Sequence, residues 1–192
     1  MKNAWINTWI FAFLAAAVAN GAEKHNPDLI VYVHHGSETA LVMGPAENQA
    51  EHMLASAGIS MAWRLGDPRI SGRSEVIEVA LVDQPNENFK PGALAFARLG
   101  PKTGTRIEIF MNRVRASGPP ALLPNILAHV MVHEITHVLE GVARHSASGV
   151  MKAHWTPDDF FRMRAALPFA AEDLELIHAW EARHSHTVIA AR

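Results

Sequence analysis

Not one of the 192 residues is cysteine. Disulfides, thiolate metal ligands, cysteine nucleophiles and thiol redox chemistry are therefore excluded, and any metal site must be built from histidine and carboxylate. No block of like charge occurs either, because 17 Lys and Arg stand against 19 Asp and Glu for a net charge of -2. A chain so balanced lacks the electrostatic footprint of a nucleic-acid binder or of a polybasic membrane binder, so neither is an expected partner. Tyrosine is nearly missing, with Tyr32 the single instance, and there is no internal repeat or low-complexity linker. What is present is 49% hydrophobic residues, the composition of an ordinary globular protein, together with 12 histidines whose clustering matters more than their number.

The N-terminus reads as a sorting signal. After Lys2 no charged residue occurs until Glu23, and the apolar stretch Trp9 to Ala19 gives way to small residues. Residues 1–22 fit a cleaved signal peptide, with cleavage after Ala19 or Ala22, which predicts a secreted or periplasmic protein and no other membrane association. A retained anchor is the alternative, since the uncharged stretch approaches the ~20 residues of a spanning helix; the short apolar core ending in alanines favours cleavage. Without cysteine, an exported chain must draw its stability from core burial or bound metal.

Residues 23–192 are long enough for a sizeable core. Leu29 to Val33 is a β-branched run suited to a buried strand, and residues 44–57, between Gly44-Pro45 and Gly58, carry apolar residues at helical spacing. Residues 60–65, 75–82 and 106–110 predict further strands. Gly92 to Leu99, entered through Pro91-Gly92 and left through Gly100-Pro101, predicts an edge strand that includes Ala93, Leu94, Ala95 and Phe96. Thr156-Pro157-Asp158-Asp159 marks a helix start, and residues 172–183 a final helix. The predicted class is α+β, a mixed sheet with helices packed against it.

The chemistry concentrates in Pro124 to Glu140, PNILAHVMVHEITHVLE, which predicts a helix with proline at its start and Gly141 just past its end. Apolar residues surround it on nearly all sides, so His133, Glu134 and His137 are carried inward and need partners. The spacing H-E-x-x-H sets His133 and His137 one turn apart on one helix face, about 6 Å along the axis, where both can meet one zinc ion. Glu134, beside them, can act as general base toward a water acidified by the metal. Buried histidines that merely hydrogen-bond within the core are the alternative.

A catalytic zinc needs a third protein ligand. His129 is rejected, because about 12 Å of helix rise separates it from residue 137. Glu172 or Glu175 fits on spacing alone, while His145, which follows the chain reversal at Gly141, is the stronger candidate. His154 and Arg144 lie nearby, and both are expected as surface groups; for Arg144 the alternative is a charge that orients the site or binds a substrate carboxylate.

The segment HEITHVLEGVARHSASGVM resembles the extended zinc motif of the metzincin metallopeptidases, HExxHxxGxxH, followed by Ser as in matrixins and by a Met-turn. Archaemetzincins are a second branch of similar flavour. The resemblance implies one catalytic zinc ion held by His133, His137 and His145, Glu134 as general base, Met151 as the hydrophobic floor and Gly141 as the helix-end turn. It further implies one catalytic domain over 23–192, a mixed mostly parallel twisted sheet with an antiparallel edge strand that binds the peptide or protein substrate. The cleft would separate an upper lobe, about 23–141, from a small helical lower lobe, about 142–192. The implied activity is zinc-dependent endopeptidase; the alternatives are a noncatalytic zinc-stabilised exported peptide-binding module and a zincin whose third ligand is a late Glu. The match departs from the family at Gly141 and His145, which stand four and eight residues after His137 instead of three and six, and no tyrosine follows Met151.

Overall fold

Alternation is the first property to become structure. Val31 and Val33 turn fully inward from the strand β1 (Leu29–His34), while Tyr32 and His34 stay partly exposed on the other face. A computed structural model describes residues 27–36, 39–66, 76–85, 89, 92–100 and 104–185. The expected signal segment 1–22 lies outside them.

With β1, the strands β2 (Met61–Leu65), β3 (Ile77–Val82), β4 (Ala95–Gly100) and β5 (Gly104–Phe110) form one sheet in the order β2-β1-β3-β5-β4. Every pairing is parallel except β4 with β5, which is antiparallel and leaves β4 on the edge. The α+β class, the mostly parallel sheet and the antiparallel edge strand are thus as expected. One face buries Val31, Val33, Val79, Ile107 and Ile109. The opposite face carries a charge ladder, in which Arg106 reaches Glu78 at 2.6 Å and Glu108 at 3.1 Å, and His34 stands 3.3 Å from Glu78. Parallel sheets are usually covered on both faces; these charges suit this face to water, though each exposed pair contributes only about 0–1 kcal/mol.

On the apolar face, α1 (Ala40–Ser56) packs against α3 (Leu123–Glu140), and α3 also meets β4, β5 and α5 (Ala171–Ser185). Helix α1 begins four residues before Gly44, so that Gly44 and Pro45 lie inside it and do not precede it. Pro45 removes a hydrogen bond to the Leu41 carbonyl, which costs little because Leu41 is 92% exposed and its turn meets solvent. Burial of Met43, Ala46, Ala50, Met53 and Leu54 then holds the helix.

Two other expectations shift. The edge strand begins at Ala95, not Gly92: Gly92 turns the chain at φ +86°, and Ala93 and Leu94 precede the strand. Their carbonyls accept from Arg113 Nη1 at 2.7 Å and from Phe110 N at 2.9 Å. The short helix α2 (Met111–Ala116) was not anticipated, because six residues with Met111 and Val114 buried are too few to register a period. Helix α3 follows a 3-10 turn at Pro120–Leu122 and carries Pro124 in its first turn, where a missing N–H breaks no helical bond. It is buried nearly all round, with Ile126, Leu127, Met131 and Ile135 at no exposure, each burial favourable by roughly 1.5–3 kcal/mol. The last helices are α4 (Pro157–Arg162), opened by a Thr156–Asp159 capping box, and α5.

Candidate metal centre

Helix α3 delivers two imidazoles to one place. His133 is buried, and its Nδ1–H donates to the Val150 carbonyl at 2.9 Å, which leaves Nε2 as the lone-pair nitrogen. That Nε2 lies 3.1 Å from His137 Nε2. His137 Nδ1 is buried outside hydrogen-bonding geometry, with the Val142 carbonyl the backbone acceptor facing it. His145 arrives from the loop beyond α3, its ring stacked on His133 at 5.3 Å and edge-on to His137 at 5.0 Å. One nitrogen from each of the three lies within 4.8 Å of the others.

Burial pushes His133 down to about 4 and lowers His137 and His145 as well, the neighbouring imidazoles adding to the effect at His133 and His137. All three are therefore neutral donors near pH 7. Lone pairs of neutral imidazoles brought this close repel unless a cation shares them, so the donor set fits a metal ion. For zinc, nitrogen bonds of about 2.0–2.1 Å at tetrahedral angles place two ligand nitrogens roughly 3.4 Å apart, close to the observed pair. Three histidines leave a fourth position open, the pattern of a catalytic rather than a structural site.

The loop carrying His145 is tied down at several points. Gly141, at φ +69°, ends α3 in the left-handed region, its N–H donating to the His137 carbonyl at 3.0 Å. Ser146 N donates to the carbonyl of Met151, which is fully buried. Gly149, at φ +78°, lets the chain pass so close to Pro168 that an added Cβ would stand 2.1 Å from the Pro168 carbonyl oxygen. Asp173, wholly buried in the first turn of α5, accepts from Arg144 Nη1 at 2.8 Å and from Ser146 Oγ at 2.5 Å.

Glu134 shares the wall of a cleft of about 910 Å³ with all three histidines. Burial pushes its carboxyl up to about 7, against the Ala97 backbone N–H, which works to lower it. The same cleft is lined by Ala93, Leu94, Ala95 and Phe96, of which only Ala95 and Phe96 belong to β4. Phe96 is 41% exposed, and Trp155 stands edge-on to His133 at 5.4 Å.

The remaining candidates separate cleanly. His129 is fully buried and occupied elsewhere: its Nδ1–H donates to the Asn125 carbonyl at 2.7 Å and its Nε2 accepts from Leu167 N at 3.0 Å. Glu172 is mostly exposed and 3.9 Å from Arg144, Glu175 is exposed, and neither joins the three-histidine group. Arg144, expected as a surface charge, is instead half-buried between Asp173 and Glu140. Burial raises Glu140 to about 7 despite Arg144 at 3.7 Å. His154 is exposed on the cleft rim. His52 lies exposed on α1, His34 ends β1, and His184 stacks on Trp180 within α5. Asp173 escaped sequence reading because AAEDLE offers three acids and only tertiary burial distinguishes one; its place in the first helical turn was the available signal.

A scan against protein-family models finds no match for this chain. A search of curated proteins finds none either. Among solved structures, archaemetzincin from Methanopyrus kandleri matches with a TM-score of 0.53 at 15% identity, over 79% of this chain and 93% of that one. The chain therefore shares its fold with archaemetzincin, and within that fold it holds a group of three histidines able to bind a metal.

Proposed function

We propose that the chain is a zinc-dependent endopeptidase of metzincin type. The observation that carries the reading is the convergence of three neutral imidazoles, His133, His137 and His145, beside Glu134 on the wall of a cleft bordered by a sheet edge. When bound by those histidines, zinc would supply Lewis acidity, polarising a carbonyl and bringing the pKa of water near neutrality. Glu134 takes the proton of the attacking water and passes it to the leaving amine, a role suited to a carboxyl on the wall of the same cleft as the three imidazoles. Strand β4, at the sheet edge and with the backbone groups of Ala95 turned away from β5, holds the peptide substrate extended by backbone pairing, as strand addition does at exposed edges. Met151, buried next to the loop that carries His145, serves as the apolar floor. Residues 1–22 act as an export signal that places the mature protein in the periplasm or outside the cell; an intact Met1 in the exported protein would refute this.

Two measurements test the catalytic reading. Purified protein should carry one zinc, and His145→Ala should weaken its binding strongly. Glu134→Gln should retain zinc while peptide hydrolysis falls roughly 10²–10⁴-fold, the usual contribution of a general base. Undiminished hydrolysis would remove Glu134 from the mechanism, and absence of zinc from the wild type would remove the metal.

A further inference from the structure

The spacing that departs from the metzincin pattern poses a physical problem: His145 stands eight residues past His137, in the loop that begins at Gly141 after the end of α3, and is itself exposed. Nothing in its local sequence fixes the direction of its ring, and ordering such a loop costs backbone entropy that some contact must offset. We propose that Asp173 is the positioning residue for the third imidazole, its one carboxylate gripping the residues on both sides of His145 and so setting where that ring stands relative to α3. The proposal rests on the reading of His133, His137 and His145 as a metal site.

The geometry of the grip is complete. Asp173 Oδ1 accepts from Arg144 Nη1 at 2.8 Å on one side of His145 and from Ser146 Oγ at 2.5 Å on the other. Its second oxygen accepts from Ala170 N at 2.8 Å, so the carboxylate is fixed to the start of α5 before it holds anything else. Arg144 Nη1 also lies 3.1 Å from Ser146 Oγ, which closes a triangle beneath the histidine. The charge-assisted bonds of this triangle are sheltered, because Asp173 has no exposure and Ser146 has 7%. From Ser146 the restraint continues through its N–H to the Met151 carbonyl at 2.8 Å and through the adjoining Val150 carbonyl to His133 Nδ1. His145 and His133 are thereby referenced to the same short segment.

Asp173 has a second consequence that follows from charge alone. A guanidinium next in sequence to a metal ligand opposes a divalent cation. Arg144 is met by the Asp173 carboxylate at 2.8 Å, so its charge is compensated where it stands. Outer partners that orient ligands typically change metal affinity by about 10–100-fold when removed.

The test is a double-mutant cycle read in zinc affinity, by chelator competition at fixed pH, on wild type, Asp173→Ala, His145→Ala and the double variant. Asp173→Ala should weaken zinc by roughly 10–100-fold. In the His145→Ala background the same change should cost much less, because the ring it orients is gone and only the uncompensated Arg144 charge remains. The visible spectrum of the cobalt-substituted Asp173→Ala protein should shift toward that of His145→Ala. A carboxylate that merely stabilises the fold would give equal losses in both backgrounds, and that result overturns the proposal. Wild-type affinity in Asp173→Ala, with His145→Ala weakened, overturns it while leaving the metal centre intact. Equal zinc binding by wild type and His145→Ala overturns both. Should Asp173→Ala not fold, Ser146→Ala and Arg144→Met each break one arm and are read in the same cycle, where each should give a smaller, His145-dependent loss.

Discussion

Helix α3 and the loop beyond it bring imidazole nitrogens to the same point by different means. On α3, the separation of His133 and His137 follows from helical pitch, and the helix is held in turn by apolar burial on nearly every side. In the loop, His145 reaches the cluster through a left-handed glycine, a tight passage at Gly149 and a set of polar bonds to Asp173 and Met151. The helical half is redundant, since many apolar contacts share the load. The loop half depends on a few directional bonds, so single substitutions there should be felt in the proposed metal binding as well as in stability.

Gly149→Ala is the strongest way to break the comparison. Its side chain must occupy a left-handed conformation and meet the Pro168 carbonyl at 2.1 Å. A loss of about 3 kcal/mol or more by denaturant unfolding is expected, together with weaker zinc binding by the molecules that fold. Leu127→Ala on α3 should cost a comparable 2–5 kcal/mol, roughly the range for a buried leucine, yet leave the zinc affinity of folded protein unchanged. Equal effects on zinc from both variants would erase the distinction between the halves.

Acid should separate the regions further. Burial lowers His129 to about 4, despite its hydrogen bond to the Asn125 carbonyl. The unfolded chain, with its histidine near 6.5, then takes the proton first. Stability from this group is complete above pH ~6.5 and declines by up to ~3 kcal/mol as pH falls toward 4. His129→Gln should therefore show a shallower loss between pH 7 and 5 than the wild type. For Asp159, burial works to raise the carboxyl, but hydrogen bonds from Lys152 and Thr156 outweigh it and hold the group at about 2. That contribution is present above the ordinary carboxylate range and is lost only as pH falls through about 2. Asp159→Asn should lower stability above pH 5 without changing its slope there, and should flatten the decline between pH 4 and 2. The smallest effect is expected of Thr156→Ala, which removes the N-cap of α4 and should cost about 1 kcal/mol, read as a modest fall in the unfolding midpoint.

Much of this arrangement was legible beforehand because it is periodic. The strand run at Leu29, the α3 pattern with proline and glycine at its ends and the H-E-x-x-H pair each follow from regular geometry over a few residues. The start of α1 was misplaced because Gly44 and Pro45 are strong local breakers, and burial of Met43 and Ala46 overrode them. The edge strand was begun too early because alternation cannot distinguish Ala93 and Leu94, held by Arg113 and Phe110, from residues in the ladder. The solvated charge expected of Arg144 is instead a paired one, because its partner Asp173 lies on α5, 29 residues away in sequence.

The sequence by itself determined the absence of thiol chemistry, the helix that carries His133, Glu134 and His137, and the relative placement of those three, because covalent spacing and helical pitch act at short range. Whether His145 or a late glutamate joined them, and that Asp173 would lie beneath the loop, only the tertiary structure decided. Those outcomes depend on how α5 packs against α3, a burial of surfaces distant in sequence that no local pattern encodes.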